Sequence, residues 1–297
     1  MGLRFIEKNE LSINVDYDPT KEFACLLGSP VAHSISPDMH NYSFDKLGID
    51  AKYYAVDVKP EQLKEVLNEI RNVDFLGANV TMPLKTEIIK YIDKLDISSE
   101  LAGSVNTIVP EDGQLVGYTT DGAGFIDSLS EINVTVEGKD ILILGAGGAA
   151  TSVIVELALQ KANSITIAKR FNKSLDKVKK FAANINDKTN CNTSVINIED
   201  NDILKEAIST SHILINATPV GMTSDKSLID KSYLRSNLVV CDLIYEPAMT
   251  KLLKDASDSG CRYINGKYML LYQGARSFKL WTDLNMPIEE VKDKFFS

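Results

Sequence analysis

The stretch "KDILILGAGGAATSVIVELALQ", residues 139–160, decides the fold. It starts with an apolar run at 141–144, passes through a glycine-rich turn, and continues as a long apolar segment of helical composition. A strand, a tight turn and a helix in this order are typical of a βαβ unit. Further short apolar segments follow at 164–170, 212–218, 238–244 and 261–265. The sequence therefore predicts an α/β fold whose second half forms a parallel, doubly wound sheet.

The glycine turn itself predicts a nucleotide site. Gly145, Gly147 and Ala150 fit the pattern G-x-G-x-x-G/A between a strand and a helix. Backbone without side chains lets a pyrophosphate approach the amide N–H groups at the positive end of a helix. We therefore expect a dinucleotide to lie on the turn, against the alternative of a merely tight connection. The residues expected to hold it are Gly145, Ala146, Gly147, Gly148 and Ala149.

The end of the next predicted strand indicates which dinucleotide is bound. An enzyme that uses NAD usually presents an acidic side chain there to the ribose 2′-hydroxyl. This chain has Lys169 and Arg170, with Lys173 one turn later. A guanidinium pairs well with a phosphate, so the sequence favours NADP over NAD. The alternative, that these are surface cations of a lysine-rich helix, is strongest for Lys173.

The first half of the chain predicts an α/β unit of its own. Strands are expected at 23–28, 52–58 and 75–81, a hairpin at 105–118, and helices at 36–48, 61–71 and 85–95. Ser36 stands where a helix cap belongs, before Pro37. The tail, residues 267–297, is helical in composition and is expected to pack on this first unit.

Composition limits the classes of partner. The 297 residues carry a formal net charge of −9, which argues against nucleic acid or an anionic membrane as the main partner. The four cysteines are far apart and no histidine stands at metal-ligand spacing, so neither a disulfide framework nor a metal site is expected. Because the first 20 residues lack an apolar signal-peptide core and no stretch is long enough to span a membrane, we expect a soluble cytoplasmic protein.

Small polar side chains recur at the predicted strand ends and turns of the first unit. Such hydroxyls and amides both donate and accept hydrogen bonds, and they suit a small polyhydroxylated molecule, neutral or carboxylated. They do not suit phosphate transfer, which needs a lysine-bearing phosphate loop or metal-binding acids. The members of this set are Ser34, Ser36, Asn79, Thr81, Asn106, Thr107 and Asp121.

The motifs, in their order and spacing, resemble the shikimate dehydrogenase family. They are "SPVAHSISPDMHN", "GANVTMPLK", "AGSVNT", "TTDGAGF", "GAGGAA", "NATPVGM" and "GKYMLLYQGA", spread over residues 23–281. The resemblance implies two domains with a cleft between them. A substrate domain with a mixed sheet would comprise 1–121 and 267–297, and a Rossmann-type NADP domain 122–266. The implied reaction is the reversible NADPH-dependent reduction of 3-dehydroshikimate to shikimate, by a monomer or homodimer.

The same resemblance implies roles for individual residues. Ser34 and Ser36 would bind the substrate carboxylate, and Lys85 and Asp121 would be the catalytic pair, with Asp121 also touching the substrate. Contacts to the substrate hydroxyls would come from Thr81, Asn106 and Gln273, with Tyr245 approaching from the nucleotide side. The cofactor would be held by the glycine turn, Lys169, Arg170, Lys173 and Thr218, with Leu243 and Gly266 near the nicotinamide.

The chemistry of a ketone reduction supports the role of Lys85 independently. Hydride delivery leaves charge on oxygen, and a cation at that oxygen stabilises the charge and supplies the proton. A lysine can do this near neutral pH if it is partly desolvated, and a neighbouring carboxylate would fix its position. We therefore hypothesise that Lys85 is the proton donor in reduction and the acceptor in oxidation, oriented by Asp121.

Each candidate also has a plainer interpretation. Ser36 and Asp121 could be helix caps, and Asn106 a hairpin residue. His33, His40 and His212 have no spaced partners and are interpreted as structural, and Trp281 as packing. Metal ligands are not expected among them.

The sequence departs from the family pattern in places. Thr119 replaces the usual Asn before Thr-Asp, and Phe171 replaces the Thr of Asn-Arg-Thr, which removes a hydroxyl from the cofactor segment. Three alternatives therefore stay open: a quinate or quinate/shikimate dehydrogenase with NAD use, a methylenetetrahydrofolate dehydrogenase, and a catalytically silent, ligand-sensing relative. The serine pair gives the folate enzyme no support, and the presence of Lys85 and Asp121 counts against the silent relative.

Overall fold

A computed structural model describes residues 18, 20–71 and 74–296. The chain divides into two compact units, one comprising Met1–Thr120 with Gln273–Ser297 and the other Asp121–Tyr272. The expectation about the first 20 residues falls almost entirely outside the described residues. The functional assignment of the two units stays a prediction at this stage.

The first unit contains a mixed sheet, as predicted. Its strands are β1 (Glu22–Gly28), β2 (Ala51–Asp57), β3 (Phe75–Val80), β4 (Lys94–Leu95), β5 (Thr107–Glu111) and β6 (Gln114–Tyr118). They lie in the order β2-β1-β3-β5-β6-β4. β1 runs parallel to both of its neighbours, whereas β5 is antiparallel to β3 and to β6. The predicted hairpin is therefore β5–β6, with its turn at residues 112 and 113.

The second unit contains a purely parallel sheet. Its strands are β7 (Asp140–Leu144), β8 (Ser164–Lys169), β9 (Asn192–Asn197), β10 (Ile213–Asn216), β11 (Val239–Asp242) and β12 (Arg262–Ile264). The order β12-β11-β10-β7-β8-β9 is that of a Rossmann fold, and its switch point lies between β7 and β10. The prediction of a doubly wound sheet is confirmed. β9 was not predicted, because this edge strand, NTSVIN, contains only two apolar residues and has no apolar run.

The helices connect and cover these strands. Within the described residues, and in chain order, they are α1 (Ser36–Leu47), α2 (Leu63–Ile70), α3 (Ile97–Ala102), α4 (Asp121–Ser128), α5 (Gly148–Leu159), α6 (Leu175–Lys188), α7 (Asn201–Thr210), α8 (Lys251–Asp258), α9 (Lys267–Thr282) and α10 (Ile288–Phe295). The helical tail is confirmed as α9 and α10. Near the end of α9 the Trp281 indole donates to the carbonyl of Ile108 on β5 at 3.0 Å, so the tail packs on the first sheet as expected.

The helix predicted over 85–95 is wrong. Residues 82–87 form consecutive turns, followed by a 3₁₀ turn at Ile88–Tyr91 and then by the short strand β4. β4 pairs with β6, and the Asp93 carboxylate accepts hydrogen bonds from the Leu115 N–H at 2.8 Å and from Arg71 at 2.7 Å. These long-range bonds override the helical pattern of apolar residues.

The buried core of the first unit explains where its polar residues end up. Leu63, Val66, Leu67 and Ile70 form one apolar face of α2, with the spacing that the sequence predicted. They belong to one cluster with buried residues of the first sheet such as Leu27 and Ala78. Polar candidate residues of the first unit lie at the ends of these strands.

Candidate active site

The glycine turn of the second unit leaves the amino end of α5 open. Gly145 has φ +101°, and a Cβ there would lie 3.0 Å from the carbonyl oxygen of Ala217, so this position needs glycine. Its N–H donates to the carbonyl of Ala168 at the end of β8, at 2.9 Å. A Cβ at Gly147 or Gly148 would meet nothing within 4 Å. The N–H groups that begin α5 are therefore accessible to a phosphate.

The cations at the end of β8 have two different roles. Lys169 is buried, and its Nζ donates to Asn172 Oδ1 at 3.0 Å. The same Oδ1 accepts from the N–H and the hydroxyl of Ser174, at 3.1 and 2.9 Å. Lys169 therefore shapes this loop, while Arg170 and Lys173 are exposed. Sequence reasoning missed Asn172, although Asn two residues before Ser is a turn pattern that could have indicated it.

The structure brings two of the predicted nicotinamide residues together. A Cβ at Gly266 would lie 2.1 Å from the carbonyl oxygen of Leu243, so only glycine fits there. The Gly266 N–H donates to the Ile244 carbonyl at 3.0 Å. Thr218 lies in the loop after β10, and Tyr245, 55% exposed, in the loop after β11. All of these positions follow the carboxyl ends of parallel strands, where such sheets bind ligands.

In the first unit, Ser36 does not cap α1. The residue that precedes α1 is Ile35, whose side chain makes no capping bond, and Ser36 is the first residue of the helix, so the interpretation of Ser36 as a cap is wrong. Instead, the Ser34 hydroxyl accepts from the Ser36 N–H at 3.2 Å. Ser36 is buried and Ser34 half-buried. This arrangement leaves the Ser36 hydroxyl free of the capping role that the plainer interpretation required.

Asn106 is the centre of a buried amide and hydroxyl cluster. Its Nδ2 donates to Thr120 Oγ1 at 3.0 Å and to Gln273 Oε1 at 3.3 Å. Its Oδ1 accepts from the Thr120 N–H at 2.7 Å. Asn106 directly precedes β5, and its N–H donates to the Tyr118 carbonyl of β6 at 2.9 Å, so it belongs to the hairpin as well as to this cluster. The structure therefore joins two predicted substrate residues, Asn106 and Gln273, which are 167 positions apart.

A second buried amide, Asn79, extends this cluster. Its Nδ2 donates to Ser277 Oγ at 2.8 Å, and its Oδ1 accepts from the Tyr53 hydroxyl at 2.9 Å. Ser277 also bonds with Thr107 Oγ1 at 2.8 Å. Sequence reasoning missed Tyr53 and Ser277. The spacing of Ser277 four residues after Gln273 places both on one face of α9, which is the signal that could have found it.

Lys85 belongs to the first unit, and Asp121 is the first residue of the second. Lys85 is half-buried in the turns after β3, and its carbonyl accepts from the N–H of Val105, the residue before Asn106, at 2.8 Å. No helix begins at Lys85, because residues 82–87 form consecutive turns. Asp121 is buried, directly follows Thr120 and opens α4. The pairing of Lys85 with Asp121 stays a prediction.

His40 and Trp281 have the structural surroundings that the sequence suggested. The buried His40 ring stacks on Tyr53 with 4.5 Å between centroids, and lies 5.1 Å from Trp281 and 6.1 Å from Phe278. Burial lowers the pKa of His40 to about 3, so the ring is neutral at physiological pH.

Two classes of site find no support in the described part of the chain. No cluster of three or more His, Cys, Asp or Glu residues suited to a metal ion occurs there. None of its helices has the length and apolar character needed to cross a bilayer.

Comparison with known proteins identifies the family. Residues 26–108 match the shikimate dehydrogenase substrate binding domain, 128–235 match shikimate / quinate 5-dehydrogenase, and 268–294 match the shikimate 5'-dehydrogenase C-terminal domain. A protein of Listeria innocua named shikimate dehydrogenase (NADP(+)) is 41% identical over 278 residues, covering 93% of this chain and 96% of the relative. The chain belongs to the shikimate dehydrogenase family.

Other members of the shikimate dehydrogenase family agree with this placement. The shikimate dehydrogenase (NADP(+)) of Alkaliphilus metalliredigens is 44% identical over 272 residues, covering 90% of this chain and 93% of the relative. A crystal structure of shikimate 5-dehydrogenase from Listeria monocytogenes, in complex with shikimate and NAD, matches with a TM-score of 0.90 and 40% identity. It covers 95% of this chain and 98% of that chain. The resemblance predicted from the motifs is confirmed, and so is the fold class.

Phe171 and Thr119 depart from the family pattern. Phe171, where the family usually has Thr, is 46% exposed, with Lys179 Nζ 5.9 Å from its ring centroid. It offers no hydroxyl to a phosphate. Thr119, where the family has Asn, is buried.

Proposed function

We propose that this chain catalyses the reversible NADPH-dependent reduction of 3-dehydroshikimate to shikimate, a step in the biosynthesis of chorismate and the aromatic amino acids. The observation that carries the proposal is the cluster in which Asn106 and Gln273 meet, found in a chain that also has an open glycine turn followed by a basic strand end. The names of the relatives, which specify shikimate and NADP(+), support the same reaction.

The substrate would be recognised by groups that both donate and accept hydrogen bonds. Thr81, Asn106 and Gln273 would contact the ring hydroxyls, and the buried cluster fixes the orientation of the two amides beforehand. Ser34 and Ser36 would bind the carboxylate, and Tyr245 would approach from the nucleotide side. Neutral donors of this kind suit a molecule with several hydroxyls better than they suit a multiply charged phosphate.

The cofactor would be held by the second unit. The glycine turn, Gly145 to Ala149, would hold the pyrophosphate, and Arg170 with Lys173 would bind the 2′-phosphate. Lys169 would act indirectly, by fixing Asn172 and the loop that carries both cations. Thr218, Leu243 and Gly266 would lie near the nicotinamide. When bound, NADPH supplies the hydride.

The proton of the reaction would move at Lys85. In reduction, the Lys85 ammonium donates a proton to the carbonyl oxygen of the substrate as charge develops there. In oxidation, the neutral amine takes the proton of the same hydroxyl. Asp121 would orient the ammonium and touch the substrate. No metal ion is required in this scheme, because the cation that stabilises the oxygen is Lys85.

The remaining expectations concern where and how the protein works. We expect a cytoplasmic enzyme, monomeric or homodimeric, whose partner is a small molecule. Its four cysteines, Cys25, Cys191, Cys241 and Cys261, are buried free thiols, as is typical of a reducing compartment.

The test of the proposal compares the wild type with Lys85→Ala in an assay of NADP reduction by shikimate. Turnover should fall by about 10²- to 10⁴-fold, and the affinity for shikimate should change little, because only the transition state gains from the proton. Lys90→Ala is the matched control, since Lys90 is exposed in the same segment and pairs with Glu87 at 2.7 Å. An inactive wild type would refute the reaction, and full activity of Lys85→Ala would refute the role of Lys85.

A further inference from the structure

The second unit contains a buried carboxylate at the carboxyl end of one of its strands. Asp242, the last residue of β11, is 1% exposed. Its Oδ1 accepts from Asn216 Nδ2 at 2.9 Å and from the Ile244 N–H at 3.1 Å, and its Oδ2 accepts from Thr250 Oγ1 at 2.7 Å. Burying a carboxylate is costly even when it is hydrogen-bonded, so this position calls for a reason.

The first partner, Asn216, transmits the position of the carboxylate to the loop after β10. The Asn216 Oδ1 accepts from the N–H and the hydroxyl of Thr218, at 3.1 and 2.7 Å. The Asn216 Nδ2 donates to the Val220 carbonyl at 3.2 Å as well as to Asp242. An acceptor at Asp242 therefore fixes which way the amide faces, and the amide fixes Thr218 and Val220.

The other two partners hold the loop after β11. The Ile244 N–H lies at its start, and Thr250, which caps α8, lies at its end. Between them the loop carries Tyr245, a predicted substrate residue. One carboxylate is thus bonded to both loops that leave the carboxyl edge of the sheet at β10 and β11.

Asp242 and Asp140 differ in how ionisation affects the stability of the fold. Burial raises the pKa of its carboxyl, so the fold is less stable with the ionised group, above that pKa, than with the neutral one below it. Asp140, at the amino end of the central strand β7, shows the opposite pKa shift. Hydrogen bonds from Ser164 and Asn163, both 2.6 Å, lower the pKa of Asp140, so its ionised form stabilises the fold.

We propose that Asp242 is a positioning residue for the dehydrogenase reaction, which fixes the loops that present Thr218 and Tyr245 to the nicotinamide and the substrate. This inference rests on the function proposed above. Asp242 itself would contact neither the nicotinamide nor the substrate. Its effect would pass through Asn216 and Thr250.

The test is Asp242→Asn in the full-length protein, with Asp140→Asn as the matched control. Because an amide cannot accept from all three donors, the loops should shift and kcat for shikimate oxidation should fall by about 10- to 100-fold. The urea midpoint should fall modestly, because one buried donor loses its acceptor, and the Kd for 2′,5′-ADP, which probes only the adenosine half of the site, should change less than about twofold. Asp140→Asn should keep kcat although it also lowers the urea midpoint.

The outcomes separate the two proposals. A wild type that does not oxidise shikimate overturns the proposed function and this inference with it. An active wild type overturns this inference alone if Asp242→Asn keeps full kcat, or if the variant loses kcat and 2′,5′-ADP affinity together.

Discussion

Two candidate substrate residues of the first unit and three candidate cofactor residues of the second differ in burial and hydrogen bonding. Asn106 and Gln273 are buried and already hydrogen-bonded to their neighbours. Gly147, Gly148 and Arg170 are exposed, and a Cβ at either glycine would meet no other atom within 4 Å. We therefore expect Asn106 and Gln273 to support the fold as well as ligand binding, and Gly147, Gly148 and Arg170 to contribute to ligand binding alone.

Because of this difference, we expect substitutions in the two units to affect different quantities. Removing a member of the first unit's cluster leaves buried donors and acceptors unsatisfied, which costs stability. Removing an exposed cation of the second unit costs affinity for the cofactor and little else. Three predictions follow the contrast, from the largest free-energy effect to the smallest.

Replacing Asn79 should destabilise the first unit. Asn79→Leu would leave the Tyr53 hydroxyl and Ser277 without a partner that they now have, and we expect a loss of about 3 kcal/mol in the free energy of unfolding. Urea unfolding followed by Trp281 fluorescence measures this loss, because Trp281 is the single tryptophan of the chain and lies in the first unit. Tyr53→Phe, which removes one end of one bond, should cost about 1 kcal/mol. A loss below about 1 kcal/mol for Asn79→Leu would show that the cluster does not support the fold.

The stability of the first unit should depend on pH through His40. Its pKa is lowered to about 3 in the folded state, so the unfolded chain binds the proton first, and stability falls as pH drops below about 6.5. Between pH 7 and pH 4.5 this group should account for a loss of about 2 to 3 kcal/mol. Unfolding of the wild type and His40→Phe at both pH values, followed by Trp281 fluorescence, measures the difference. Equal losses in the two proteins would contradict this assignment.

Arg170→Ala should change cofactor choice without changing stability. The Kd for NADP should rise by about 10-fold and the Kd for NAD by less than twofold, since only NADP carries the 2′-phosphate. Lys180→Ala, an exposed cation of α6, is the matched control and should leave both values unchanged. Fluorescence titration of the wild type and both variants with each nucleotide gives the six constants. Equal weakening of NADP and NAD by Arg170→Ala would argue against a phosphate contact.

The same contrast explains what the sequence could predict. The glycine turn is one contiguous motif between an apolar strand and a helix, so residues 139–160 alone were enough to predict the local structure. The edge strand β9 escaped because it buries too few residues to form an apolar run. The loop at the end of β8 was found through its cations, but the buried state of Lys169 depends on Asn172, which propensity does not reveal.

The first unit was harder to predict because its contacts cross the chain. Asn106 was predicted from its place at a predicted strand end, and Gln273 only through the family resemblance. No local pattern shows that they meet. The segment 85–95 has the apolar spacing of a helix, yet the pairing of β4 with β6 determines its conformation. Asp242 escaped for the same reason, since its partners Asn216 and Thr250 come together only in the folded sheet.

The central claim is that the first unit selects shikimate and the second selects NADP. The most direct measurement is kcat/KM of the purified wild type for shikimate and for quinate, each with NADP and with NAD, from the absorbance of the reduced nucleotide. The account predicts the highest kcat/KM for shikimate with NADP, and a reverse reaction with 3-dehydroshikimate and NADPH. A preference for quinate with NAD, or the absence of turnover in all four combinations, would contradict it.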